Sequence, residues 1–530
     1  MDKLRTPVIG KDVIESLTLG MYEDSKFIFR EYVQNAADAI DKAISLNLIE
    51  KKDAAIHLVI DPTRQLVSIE DNGTGIRQSE VGSILRNIAQ STKQRGVDKG
   101  FRGIGRLGGL AYCDKLIFET SFKGENTKSI LVWNARKLKD LINNRAEKEE
   151  ATQVIELVTE AVNQPESSDA HYFKVTLEGV SSPELLDRQE IRHYLELVAP
   201  LPFHASRFAY KAKIYEELEK EGLCLDEYTI YLGNGKEAGE QLFKSYKTIV
   251  HGADNQEPED IMDIVFVKEK DKLGQLLFWG WYGIRARMSE QIKPVNRERG
   301  IRLRQSNIQI GLDNALQKLY GKDHDQRFHY YFVGEIHAFN KDLIPNSRRD
   351  YFVENALCYE MEHTLKGEFY KLKRLCYKTS EVNSSMRAIQ NFEKANEEFE
   401  QKQQKGEFLN KEEQQRAWYD LESRKQKATE AAKKIEKTRE EVAQGKSSAH
   451  LSRIMDRMAS PEEVNKVAEA DMPALAAKPA FVTDQLIDLP PEQRALLSQV
   501  FGVIHRVLDR NTADNLVQKI MEELQTHKKG

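Results

Sequence analysis

Glu31, Asn35 and Asp38 lie four and three residues apart in FIFREYVQNAADAIDKA, residues 27–43, a spacing that stacks all three on one face of a helix. A carboxylate can take a proton from water, and a carboxamide oxygen can ligate a hard cation. Phe29, Val33, Ala36 and Ile40 occupy another side. The helix is therefore amphipathic, and its polar row faces either solvent or a ligand.

Two glycine-bearing loops narrow the choice. IEDNGTGI, residues 69–76, ends a strand on Asp71 and follows with Gly73 and Gly75, which allow a sharp turn and close approach of another group. Asp71 has the chemistry to accept a hydrogen bond from an exocyclic amine such as that of adenine. KGFRGIGRLGGLAYCDK, residues 99–115, carries Gly100, Gly103 and Gly105 in GxxGxG order, and glycine-rich turns leading into a helix expose backbone N–H groups to phosphate. The spacing is neither the dinucleotide fingerprint nor a P-loop. Ser91, Thr92 and Lys93 just upstream suit phosphate contact or a lid.

In this order, ExxxNxxD on a helix, DxGxG after a strand, STK and GxxGxG, the chain resembles the ATP-binding domain shared by gyrase B, Hsp90, histidine kinase and MutL proteins, and within that group it looks most like Hsp90. The resemblance covers about residues 10–185 and implies a Bergerat-type ATP-binding sandwich, with helices on one face of a mixed sheet. By position it implies that Glu31 is the general base, Asn35 the Mg²⁺ ligand and Asp71 the adenine contact. Thr176 would support adenine from a neighbouring strand, while Gly75, Lys93, Gly100, Gly103 and Gly105 would be further nucleotide-binding residues. Asp38 is read as structural. Arg106 stands where Hsp90 usually has an aromatic residue, and either touches phosphate or lies on the following helix. GEIHAFNKDLIPNSRRDYF, residues 334–352, is similar to the Hsp90 middle-domain loop that presents an arginine to the γ-phosphate, with Arg348 the first choice and Arg349 the second.

The positioning elements read as an α/β (α+β) multidomain chain. Of the 530 residues, 40% are hydrophobic and 31% charged, and the net charge of -5 argues against wholesale coating of a polyanion. Strands are expected at 54–61, 65–71, 115–121, 129–134 and 171–180, and a charge-rich helical insertion at 135–170. The predicted divisions are an ATP-binding domain over 1–185, an α/β middle domain over 186–370, a charged helical segment over 371–445, a linker over 446–488 and two amphipathic helices over 489–530. Leu421, Ala428, Ile435 and Val442 recur every seven residues, but Lys425 and Arg439 interrupt the matching seam, so a helical hairpin and an intermolecular coil both stay open.

The four cysteines lack metal or disulfide spacing. Neither a membrane span nor a leader is expected, which points to the cytoplasm. The resulting expectation is an Mg²⁺-dependent, Hsp90-like ATPase that binds ATP and ADP, forms a homodimer and works as a clamp on protein clients. The competing expectation is a nucleic-acid remodelling ATPase of the MutL or MORC kind. It would use the basic stretch within 285–304, since residues 285–307 hold seven basic and two acidic residues. A sensor histidine kinase is disfavoured because the ATP helix starts so early.

Overall fold

A computed structural model describes residues 9–16, 24–88, 105–144, 149–235, 239–251, 258–346, 348–446, 448–458, 464, 471–476, 480–486 and 489–526. They fall into two compact units, one of residues 1–285 with 290–373, the other of residues 286–289 with 374–530.

The first unit is built on two sheets. Alternating β-branched and polar residues give β1 (Ala55–Asp61) and β2 (Leu66–Asp71), joined through the Pro62 turn. They are followed by β3 (Lys115–Ser121), β4 (Thr127–Asn134), β5 (Thr159–Pro165), β6 (Tyr172–Glu178), β7 (Thr229–Gly233) and β8 (Glu240–Gln241). The order across this sheet is β5-β4-β3-β6-β2-β1-β7-β8, antiparallel except where β7 pairs parallel with β1. One face carries Ile56, Leu58, Val67, Ile69, Leu116, Phe118, Val175 and Leu177 into a core with helix α1 (Phe27–Ser45), which contributes Phe29, Val33, Ala36 and Ile40. The other face carries ion pairs such as Lys174–Glu70 at 3.0 Å and Lys128–Glu119 at 3.2 Å. Helices on one face of a mixed sheet are the layering predicted for this region.

Two details differ from the sequence reading. Among its described residues the insertion at 135–170 is helical over Ala135–Asn143 and Ala151–Val158, and then turns into edge strand β5, whose polar, exposed residues give no buried alternation to read. The sheet also runs past residue 185, because β7 lies beside β1 after three intervening helices, Pro183–Leu186, Arg188–Val198 and Lys211–Lys220. Nothing local in a strand states which sheet it will join.

The second sheet has the order β13-β12-β14-β11-β10-β9, from β9 (Ile249–Val250), β10 (Glu259–Lys270), β11 (Leu276–Arg285), β12 (Gly300–Gln305), β13 (Ile308–Gln309) and β14 (Val333–Ala338). Strand β11, with the LLFWGWYGI run, is buried on both faces, as continuous hydrophobicity in a strand requires. Under this sheet Glu335 is fully buried with three basic partners. Lys244 Nζ donates to it at 2.7 and 2.9 Å, Arg304 pairs with it, and His337 Nε2 lies 3.0 Å away.

The second unit holds an antiparallel helical hairpin. Helix α2 (Ala356–Lys405), which enters from the first unit, and helix α3 (Lys411–Ala443) are tied near their loop by Gln414 donating to Gln403 at 3.0 Å, and far from it by Lys378–Glu441 at 3.4 Å. Leu421, Ala428 and Ile435 are buried along this seam, so the heptad pattern is satisfied within one chain. Helices α4 (Pro491–Val507) and α5 (Arg510–Thr526) pack through Phe501, Val517 and Met521, with Leu409 and Leu486.

Two buried histidines beneath the second sheet, His329 and His337, should make the first unit acid-sensitive. Burial lowers His337 to about 4 despite its bond to Glu335, and lowers His329 to about 4 despite the bond from its ring to Asp313 O at 2.6 Å. A depressed folded-state pKa means that the unfolded chain binds the proton first, so stability present above the unfolded value of about 6.5 is lost as pH falls toward about 4. Each histidine should cost about 2 kcal/mol by pH 5. Urea midpoints followed by tryptophan fluorescence should fall between pH 7 and pH 5, with Trp279, 5.9 Å from His337, as a reporter. His329→Gln should remove about half of that fall.

Candidate functional site

The polar row of α1 faces the glycine loops. Ala39 receives the DNGTG loop: Thr74 N donates to Ala39 O at 3.3 Å, and a Cβ on Gly73 would lie 2.6 Å from the Ala39 carbonyl carbon. Two turns earlier, Glu31 meets the Gly105 backbone so closely that a Cβ there would collide with its carboxylate. Asn35, half-buried, stands between these two contacts. Glycine is thus required at 73 and 105 by what sits opposite, and at Gly75 by a φ of +65° with the Ser121 carbonyl against it.

Glu31 is 7% exposed, and a buried carboxylate needs cationic partners. Arg349 Nε lies 3.0 Å from Glu31 Oε1, and Arg30 Nε lies 3.8 Å from the same oxygen. The adjoining Arg30 nitrogen donates to Arg348 O at 3.2 Å. The middle-domain loop therefore reaches α1 with Arg349 inward, while the Arg348 side chain is exposed. The cause is backbone conformation: Arg349 adopts a φ of 55°, held by Gly311 N donating to its carbonyl at 2.8 Å and by the Pro345–Phe352 bridge at the loop base. A left-handed residue reverses which of two adjacent side chains points inward, and the order Asn-Ser-Arg-Arg does not reveal it.

Asp71 is 3% exposed at the end of β2, and its Oδ1 accepts from Gly73 N at 2.9 Å. Thr176 is not brought to it. In the sheet register Asp71 pairs with Phe173, and Thr176 pairs with Ser68, three residues back; an odd separation puts Thr176 on the opposite face. Along the row shared with Asp71 come Phe173 and then Thr120 of β3. Thr120 was not singled out by sequence, yet its hydroxyl accepts from Ile76 N at 2.9 Å and donates to Tyr172 O at 2.9 Å, stapling the DNGTG loop to the sheet. His171 adds a second staple, Nδ1 to Gly73 O at 2.8 Å.

GxxGxG leads into 3₁₀ turns over Gly105–Ala111 rather than an α-helix. Tyr32, also unread in the sequence, anchors them, donating to Arg106 O at 3.2 Å and accepting from Gly109 N at 3.1 Å. The only hint was a tyrosine directly after the acid on α1. Arg106 is turned away from the carboxylate: its guanidinium donates to Asn87 O, and burial lowers its pKa to about 10. Lys93, Gly100 and Gly103 lie outside the described residues. Among the described residues no group of three or more His, Cys, Asp or Glu side chains could cage a metal. A half-buried carboxamide such as Asn35 beside glycine backbones fits Mg²⁺ that keeps most of its ligands from phosphate and water.

The basic stretch is largely occupied. Arg285 pairs with Glu259 at 2.8 Å, Arg297 with Glu190 at 2.8 Å, and Arg304 with Glu335; Arg302 donates to Gln309 at 2.8 Å, and Arg299 lies 4.3 Å over the Tyr330 ring. Those groups stitch strands and helices together, so counting charges overstated what is free to meet phosphate.

Residues 22–166 match the family model described as histidine kinase-, DNA gyrase B-, and HSP90-like ATPase. Among curated proteins, the chain is similar to chaperone protein HtpG of Buchnera aphidicola (27% identical over 143 residues, 24% of this chain and 23% of that protein). It is also similar to HtpG of Wigglesworthia glossinidia brevipalpis (28% over 178 residues, 29% and 28%) and of Shouchella clausii (24% over 196 residues, 34% and 31%). The matched stretch thus spans less than a third of these relatives' lengths.

The staple and the register make one contrasting pair of expectations. Thr120→Val orphans the Ile76 N–H and should destabilise the first unit by about 1–3 kcal/mol, whereas Thr176→Val, on the far face, should leave nucleotide affinity unchanged. Chemical denaturation and calorimetric titration with ADP check the two; a tenfold weaker affinity in Thr176→Val would contradict the register.

Proposed function

We propose that this chain, whose residues 22–166 match the histidine kinase-, DNA gyrase B- and HSP90-like ATPase family model, is an Hsp90-like ATPase that hydrolyses ATP and uses the cycle as a conformational clamp on protein clients. The observation that carries the reading is Glu31: a buried carboxylate on α1, wedged against the Gly105 turn and met by an arginine from the middle-domain loop. A catalytic base, room for a phosphate chain and a cation for developing charge are the parts that phosphoryl transfer to water needs.

In this reading Glu31 orients the attacking water and takes its proton, and Asp71 accepts from the adenine amine. Gly75 and Gly105 present bare backbone where a Cβ would strike the Ser121 carbonyl and the Glu31 carboxylate, and the motif adds Lys93, Gly100 and Gly103 as phosphate contacts. Asn35 would hold Mg²⁺, which supplies charge neutralisation on the phosphates when bound. Arg349, with its guanidinium already at the carboxylate, is favoured over Arg348 for the γ-phosphate. The nucleic-acid alternative loses its support, since five of the seven basic residues in 285–307 are engaged within the protein. Among the described residues no helix is long and apolar enough to cross a membrane.

A clamp needs a hinge-side dimer contact, and α4 offers one. Leu496, Val500, Val503 and Val507 recur at helical spacing and are 61%, 41%, 47% and 74% exposed, an apolar row opposite the face that packs Phe501.

Glu31→Ala should bind ATP as the wild type does while turnover falls by roughly 10²- to 10⁴-fold; normal turnover would remove the base assignment. Arg349→Ala should slow hydrolysis far more than Arg348→Ala does, and the reverse order would return the role to Arg348. The client reading is checked by ATP-dependent protection of a heat-denatured model protein from aggregation, which Glu31→Ala should lose. In light scattering the wild type should have the mass of a dimer and the double variant Val500→Glu, Val503→Glu that of a monomer.

A further inference from the structure

Strand pairing puts an aromatic ring directly beside Asp71. Asp71 on β2 is directly opposite Phe173 on β6, and Phe173 is opposite Thr120 on β3. Side chains paired directly across strands share a face, with Cβ atoms about 4.5–5.5 Å apart. Phe173 is half-buried, and its ring is fixed by stacking on the fully buried Phe118, centroids 5.8 Å apart and planes at 29°. The strand end is clamped to the DNGTG loop by the His171–Gly73 contact and by the close crossing of Gly75 over Ser121. Thr120 is committed to Ile76 and Tyr172. Next to Asp71 on this row the phenyl ring of Phe173 is thus the apolar surface between the carboxylate and the engaged hydroxyl of Thr120.

We infer that Phe173 is a nucleotide-recognition residue, forming the apolar platform against which the face of the adenine ring rests while Asp71 binds its amine. The inference deepens the ATP reading and rests on it. It assigns the base-supporting role, which the motif resemblance put on the hydroxyl of Thr176, to an aromatic ring on the correct face. The two contacts divide recognition: the carboxylate reads the edge of the base, and the phenyl ring reads its π-surface. Phe173 contributes equally to ATP and ADP, because both carry the same base, and has no part in turnover once the site is saturated.

The test is calorimetric titration of the full chain with ADP, for the wild type, Asp71→Asn, Phe173→Leu and Phe173→Trp, with thermal midpoints measured alongside. Phe173→Leu keeps an apolar side chain and loses the ring, and ADP affinity should fall roughly tenfold, within the range for one base–aromatic stack. Phe173→Trp should recover most of that loss, and its added indole should be quenched as ADP binds. Unaltered affinity in Phe173→Leu, or equal losses in the Leu and Trp variants, would overturn the inference. If Phe173→Leu does not fold, the Phe173→Trp protein decides: ADP bound with no quenching refutes the contact. A wild type that binds no adenine nucleotide sinks the ATP reading and this inference together. Binding that is lost in Asp71→Asn but intact in Phe173→Leu sinks the inference alone.

Discussion

A carboxylate taken out of water must be neutralised, and the way Glu31 is neutralised governs the first unit. Its charge is met at 3.0 Å by Arg349 and at 3.8 Å by Arg30. Arg30 is its chain neighbour, whereas Arg349 arrives from more than 300 positions away, on a loop held by β12–β14 and their connections. Burying Glu31 therefore requires the loop to dock, and docking requires Gly105 opposite, because any side chain there would push the carboxylate away. The hydrogen bond from Arg30 to Arg348 O fixes the same loop through its backbone. Two arginines and one glycine thus make the burial of Glu31 conditional on the position of a distant segment, which suits the proposed cycle in which domain movement and hydrolysis are coupled.

The α1 row and the two loops were legible in the sequence because they depend on local rules. Helical spacing puts Glu31 and Asn35 on one face, and glycine marks places where the backbone must be bare. The strands around them follow alternation, and β3 spans the predicted residues 115–121. What was not legible depended on parity and on conformation. Thr176 is one strand away from Asp71 and of a fitting type, but sheet register has a period of two, so an offset of three residues turns it to the other face. Arg348 and Arg349 are chemically identical, and a single left-handed backbone angle chooses between them. Neither property has a signature in residue type.

Charge counting failed for a related reason. A run of arginines is the footprint of a polyanion surface when the side chains are solvated, but the same run can alternate out of strands into acidic partners. Arg302 and Arg304 lie two apart on β12, point the same way and are buried. The acids that meet these arginines, Glu190, Glu259 and Glu335, are spread over nearly 150 positions and become neighbours only through the second sheet and its flanking helix. An isolated stretch of sequence shows one half of each pair.

Glu335 is the instructive contrast to Glu31. Burial alone would raise its carboxyl, yet Arg304 and Lys244, with His337, hold it well below the carboxylate range. Burial, with Arg304 close by, in turn pushes Lys244 down to about 8. Every partner of Glu335 comes from packed elements: β12, its own strand β14, and the segment just after β8 that is tied to Pro202 by its backbone. None can withdraw without unfolding the sheet, and removing one would leave an uncompensated buried charge. Glu31 is also buried, though not completely, and its main partner sits on a loop at a left-handed residue; in the proposed cycle an anion entering beside Gly105 would compete for that guanidinium. A buried carboxylate–cation pair is thus structural under the second sheet, while the proposed cycle asks the one at α1 to open. The difference lies in how each partner is attached to the chain rather than in charge or burial.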